Sequence, residues 1–176
     1  MQTLQSPLDL AAVNTMGHDA FVAALGPVFE HSAWVAEGAW AARPFASIEA
    51  LHAAMLDVVQ RAPGATQLAF LCAHPELAGH EAQASTLTDD SQREQASAGL
   101  NAMSRGELAE MQRLNGAYRQ RHGFPFIIAA RHHSKAQIFA ELRRRLVEPT
   151  DAERDEAMAQ IARITRLRVD AVLAAG

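Results

Sequence analysis

SRGELAEMQRLNGAYRQRHGFPFIIAARHHSKAQIFAELRRRLVEP, residues 104 to 149, decides the fold class. Ser104 precedes Glu107 by three residues, and Ser134 precedes Gln137 by three. At that spacing a hydroxyl and a carboxylate or amide satisfy each other's orphan backbone donors at a helix start. The first helix is predicted to stop at Gly123, after His122, because glycine takes the left-handed closing conformation at little cost. The second is predicted to stop before Pro149. Between Gly123 and Ser134 lies FPFIIAARHH, whose apolar centre has no helical period and reads as extended.

The same pattern continues in both directions. Downstream, Thr150 with Glu153 repeats the capping box and predicts a last helix from about Asp151 to Ala174, with Met158, Ile161, Ile164 and Val172 on its apolar side. Upstream, Ile48, Leu51, Met55, Val58 and Val59 recur at three and four residues, a core-facing stripe on a helix that starts after Ser47 and ends near Ala62-Pro63. Less sharply marked helices are predicted over Leu8 to Asn14, Asp19 to Leu25, Ser32 to Ala42, Gly64 to Ala73 and Asp89 to Leu100. The stretch from His74 to Asp89 is polar and rich in small residues, and is expected to be non-helical. Alanine is abundant and aromatics make up only 6%, which favours helices throughout. With 176 residues and no repeat or linker, the expectation is an all-α, single-domain multi-helix bundle over residues 1 to 176.

Composition removes several function classes. The net charge of -4 and pI near 6.0 leave no basic footprint for nucleic acid. The N-terminus MQTLQSPLDL lacks the features of a signal peptide, no apolar run approaches the ~20 residues of a membrane span, and AVLAAG is no peroxisomal tripeptide, so a soluble cytoplasmic protein is expected. Cys72, alone in LAFLCAH, reads as a helix-core residue in a reducing compartment. No GxGxxG or GxxxxGK(S/T) loop occurs, and no nucleophile elbow. The eight histidines do not make a metal site, since His74 and His80 are six apart and His132 and His133 are adjacent. Neither metal nor organic cofactor is therefore expected. Trp34 and Trp40 read as packing anchors.

Two places remain for chemistry. His74 follows an apolar helix and precedes Pro75, which forces it out of the helical region. A histidine held at a helix end can exchange a proton near neutral pH, or simply bond a nearby carbonyl as part of a turn. Ser91, Glu94 and Gln95 share one face near a helix N-terminus, where backbone donors and the dipole favour an anionic ligand. The plainer alternative is a solvated face with Ser91 in the N-cap. These residues outline a His and Glu proton-transfer pair but no substrate.

HPELAG at 74–79, SQREQASAGL at 91–100, LNGAYRQRHGFPFIIAAR at 114–131 and FVAALGPVFEHSAWVAEGAWAARPFASIEALHAAM at 21–55 stand in an order and spacing that resembles the 2-oxo-4-hydroxy-4-carboxy-5-ureidoimidazoline (OHCU) decarboxylases, nearly end to end. The resemblance implies an all-α fold of that family's own type, commonly a homodimer, that turns OHCU into (S)-allantoin without a cofactor. It implies His74 and Glu94 as catalytic groups. Pro75, Ser91, Gln92, Arg93, Glu94 and Gln95 would bind substrate, Phe126, Ile127, Ile128, Ala129 and Ala130 would offer main-chain hydrogen bonds to its ring, and Arg168, or Arg166 two residues away, would meet its charge. A histidine, His80, stands where relatives commonly carry a basic residue, and leaves open a relay through His80 or His132. A lyase for another ureido compound and a non-catalytic helical scaffold are the alternatives.

Overall fold

The computed structural model describes residues 8–173, and among them the chain is all-α. In chain order the helices are α1 (Leu10–Thr15), α2 (His18–Leu25), α3 (Trp34–Ala39), α4 (Ile48–Arg61), α5 (Gly64–Cys72), α6 (His80–Gln83), α7 (Asp89–Ser97), α8 (Arg105–His122), α9 (Lys135–Leu146) and α10 (Thr150–Val172). The β pairing among the described residues is a single bridge between Leu8 and Leu173. The expected ends of α4, α8 and α9 hold, whereas the expected last residue of α10, Ala174, lies outside the described residues. The Leu8–Asn14 helix begins at Leu10, and the Ser32–Ala42 helix becomes α3 followed by a 3-10 turn. α7 ends three residues short of Leu100. The stretch from His74 to Asp89, expected to be non-helical, contains the one-turn α6.

Both boxes of the decisive stretch form. Ser104 Oγ accepts from the Glu107 N–H at 3.1 Å while Glu107 accepts from the Ser104 N–H at 2.8 Å. Ser134 and Gln137 do the same at 3.3 and 2.7 Å. Gly123 closes α8 at φ 82°, a left-handed conformation that strains a residue with a Cβ. The third box does not form: Thr150 Oγ1 bonds His122 Nδ1 at 2.9 Å, and Glu153 turns to Arg145 and Tyr118. Partners distant in sequence have outcompeted the local cap.

The chain divides into two compact units, one running to Gln67 and resuming at Thr165, the other comprising Leu68–Ile164. In the first, α3 packs on α4 so closely that a Cβ on Gly38 would sit 2.7 Å from a Val58 methyl carbon. Its core includes Val13, Phe21, Leu25, Leu51, Met55 and Val59. Trp40 is an anchor, as expected: Arg43 lies 4.3 Å from its ring centroid and donates to the carbonyls of Trp40, Asn14 and Met16. His52 is buried and shares a 2.9 Å hydrogen bond with Thr165 Oγ1.

Burial, then the charge of Arg166, lower the His52 pKa below its ordinary 6.5, with Asp170 opposing. A histidine with a depressed folded-state pKa binds its proton more readily when unfolded. Its neutral form thus supports the fold fully above the unfolded pKa, and that support fades as pH falls below it. Stability to urea should drop as pH falls below about 6.5, and the part due to this residue should disappear in a His52→Gln variant. An unchanged profile in that variant would remove His52 as the cause.

In the second unit α8 packs on α9. Arg145 is fully buried and donates through Nε to Glu153 at 2.9 Å and through Nη1 to the Ile127 carbonyl at 2.8 Å, with Phe126 stacked 4.6 Å from its guanidinium. The Tyr118 hydroxyl donates to the same carboxylate. Burial and Glu153 push that phenol's pKa upward, so it stays a donor across the working range. The buried side of α10 is thus not the predicted apolar stripe. Ile161 and Ile164 are buried, but Met158 and Val172 are only half-buried. Glu153, Gln160, Thr165 and Arg168 share the buried side, each with a hydrogen-bond partner that its own helix does not supply.

Candidate active site

α5 ends at Cys72, and the chain turns at His74 because Pro75 follows. Residue 74 stays near the helix end, and its ring lies edge-on to Phe70 at 5.5 Å. Its Nδ1 lies 3.2 Å from the Phe70 carbonyl. A carbonyl only accepts, so this bond places the neutral ring's proton on Nδ1 and its lone pair on Nε2. The turn role, posed as one of two alternatives, is formed, and it leaves an acid–base role open. His74 is buried, 7% exposed.

The six residues from His74 to Gly79 are gripped from two helices. Gln95 Oε1, on α7, accepts from the Ala78 N–H at 2.9 Å and its Nε2 donates to the Glu76 carbonyl at 3.5 Å. Asn115 Nδ2, on α8, donates to the Leu77 carbonyl at 2.9 Å, and Arg119, one turn further, pairs with Glu76 at 2.8 Å. Ala78 is held at φ 48°, a left-handed conformation that costs energy in a residue with a Cβ. The expected substrate role of Gln95 therefore competes with a role observed here, that of a pin for the loop.

α7 starts with Thr88 as its cap, Oγ1 accepting from the Ser91 N–H, so Ser91 is not the cap. Asp89 and Asp90 fill the first turn and already complement the dipole, which corrects the expectation of an anion site at this helix end. Ser91 and Gln95 are buried and Glu94 is half-buried on one side. Gln92 and Arg93 are exposed, and Arg93 is paired with Asp90 at 2.8 Å. A helix cannot turn five consecutive residues to one face, so these two depart from the rest.

The segment 124–130 is wholly buried. Its Ile127 carbonyl is taken by Arg145 and its Ala129 N–H donates to Gln160 Oε1 at 3.0 Å. Residue 128 lies between these two anchored groups. Among the described residues neither group of Ile128 has a partner. The 3-10 turn Ala130–His132 packs on α7, and Cys72 Sγ reaches the Gly123 carbonyl at 3.5 Å. The second unit thus gathers His74, α7 and this segment. Cys72, expected in a helix core, is exposed, because its side of α5 faces the end of α8 only through that one weak contact.

Arg168 and Arg166 belong to the first unit. Arg168 is buried, its Nη1 donating to Glu30 at 2.7 Å and to the Val28 carbonyl at 3.3 Å. Arg166 lies nearer the surface, paired with Glu49 and Asp170, and of the two it is the less suited to a buried role. That environment, led by a backbone hydrogen bond at Glu49, holds the Glu49 carboxyl at about 2. His80 and His132 are exposed. A cavity of about 350 Å³ touches Ala78, Gln92 and Gln95, but His74 and Glu94 do not line it, so proton transfer is not placed there. Among the described residues no three His, Cys, Asp or Glu side chains are grouped to hold a metal ion, and no helix is long and apolar enough to cross a membrane.

Sequence reasoning missed Asn115, Arg145, Glu153, Gln160 and Glu30. Each is a polar residue in a helix or turn whose partner is far along the chain, so no local pattern marks it.

Fold and site together define an all-α protein with a buried histidine held at a helix end beside a buried main-chain segment. The chain belongs to the OHCU decarboxylase family, whose model matches residues 14–170. It is 40% identical over 162 residues to the 2-oxo-4-hydroxy-4-carboxy-5-ureidoimidazoline decarboxylase of Haloferax volcanii, covering 92% of this chain and 94% of that one. To the decarboxylase of that name from Mus musculus it is 36% identical over 168 residues, covering 96% and 94%. Among solved structures it is similar to (S)-allantoin synthase, with a TM-score of 0.74 and 28% identity over 94% of this chain. It spans 54% of that protein's length.

Proposed function

We propose that this protein decarboxylates OHCU to (S)-allantoin in urate breakdown, using its own side chains without metal or organic cofactor. The observation that carries the mechanism is the His74–Phe70 hydrogen bond, which fixes which imidazole nitrogen can take a proton. Family membership supports the substrate.

The substrate's chemistry fits such a site. Its carboxylate sits on a carbon that also carries a hydroxyl and adjoins a ring carbon doubly bonded to nitrogen. When the carbon–carboxylate bond breaks, its electron pair forms a carbon–carbon double bond, and the C=N pair moves to nitrogen, which takes a proton. The resulting enol then loses its hydroxyl proton as the carbonyl forms, and the neighbouring carbon takes a proton from one face. The sum is one CO2 released and one proton taken up in its place.

In this reading His74 Nε2 moves the proton, Glu94 binds the hydroxyl or ureido donors, and Ser91 and the main-chain edge hold the ring. Ile128 offers one donor and one acceptor side by side, the complement of a cyclic amide. Such preorganised groups stabilise charge where it develops. Arriving at one face is what selects the S product. The whole chain acts as one OHCU decarboxylase domain, because the family match runs through both units. The sequence resemblance supports a homodimer, and the single exposed thiol supports a reducing, cytoplasmic setting.

The test generates the intermediate from urate with urate oxidase and hydroxyisourate hydrolase, then follows circular dichroism with and without this protein. Rapid growth of the (S)-allantoin signal is expected. Racemic product at the spontaneous rate would end this reading.

A further inference from the structure

We infer that Asn115 is a positioning residue: through the Leu77 carbonyl it sets where the His74 imidazole stands. This rests on the proposed proton-transfer role of His74.

His74 is fixed on one side by the Phe70 carbonyl, at the end of α5. That bond sets the tautomer, and the backbone that carries the ring contributes to where it stands. On the other side the chain leaves through Pro75 and Glu76 to Leu77, whose carbonyl receives Asn115 Nδ2 at 2.9 Å. Asn115 is 3% exposed and lies mid-way along α8, anchored at one end by its capping box and at the other by Gly123. It is thus a rigid post. Gln95 grips the flanking Glu76 carbonyl and Ala78 N–H from α7, and the left-handed Ala78 is the conformation these grips must hold in place.

The Asn115 amide is oriented by this task. Its Oδ1 is buried and has no partner, a costly arrangement that the opposite orientation would worsen by facing oxygen to the Leu77 carbonyl. A group retained with half of its hydrogen bonding unmet is there for the half that is met. Catalytic geometry is sensitive to shifts on the order of 1 Å, which can lower rates about 10²-fold.

The experiment uses the full chain with Asn115→Leu, close in volume, and Asn115→Ala as the second variant should the first not fold. Each is compared with the parent by thermal melting, by steady-state kinetics in the coupled assay, and by long-range ¹H–¹⁵N spectra of the His74 ring in the free protein. The expected result is a folded variant with kcat lowered about 30- to 100-fold, KM within about threefold, and displaced His74 ring resonances. A kcat within threefold of the parent overturns the inference, as does a loss confined to KM, or His74 resonances that do not move. The spectra keep the two readings separate: a parent that lacks turnover sinks the proposed reaction, whereas unmoved ring signals sink the role of Asn115 alone.

Discussion

His74→Ala is expected to keep its fold and lose about 10²–10⁴-fold in kcat, the range a positioned acid–base group contributes. The ring is buried and bonds a carbonyl of its own α5 turn, while Gln95, Asn115 and Arg119 hold the loop independently of it. The residual product should approach racemic, because the face-selective proton is then delivered by water. The measurement is the circular dichroism time course with the melting curve beside it. Activity within tenfold of the parent in a folded variant would take the proton from His74 and require another donor.

The second large effect concerns stability. Arg145→Met removes the cation from a carboxylate that is 2% exposed, leaving Glu153 with the Tyr118 hydroxyl alone. Breaking a buried pair from one side costs about 3–5 kcal/mol. In a chain of this size that is a fall of roughly 6–20 °C in Tm. Replacing both partners, Arg145→Met with Glu153→Leu, should recover much of the loss, since no charge is then stranded. Activity should not recover with it, because the Ile127 carbonyl has lost its donor and the main-chain edge its register. Urea unfolding of the three proteins, with the coupled assay on each, separates these outcomes. A double variant as unstable as the single one would show that the ion pair was not the source.

How much of this was legible beforehand follows from the range over which each interaction acts. The ends of α4, α8 and α9 were readable because Ser47, Ser104, Ser134 and Gly123 act on backbone within four residues. His74 was readable as a turn histidine because Pro75 follows it. Thr150 and Glu153 carry the same local code as Ser104 and Glu107, yet His122, Tyr118 and Arg145 claim their side chains, and nothing within four residues reports that competition. Gln92 and Arg93 share the segment with Ser91 and Gln95, but helical rotation turns them to the exposed side, where Gln92 borders the cavity and Arg93 pairs with Asp90.

The amino-acid sequence by itself determined an all-α protein, the positions of its sharpest caps and a histidine placed at a helix end, because propensity, capping and proline restriction are properties of a few neighbouring residues. Only the tertiary structure decided that Gln95 and Asn115 grip the histidine loop and that Arg145 and Gln160 set the edge of segment 126–130. Those contacts join residues 17 to 38 positions apart through backbone carbonyls and N–H groups, which every residue possesses and no sequence pattern distinguishes.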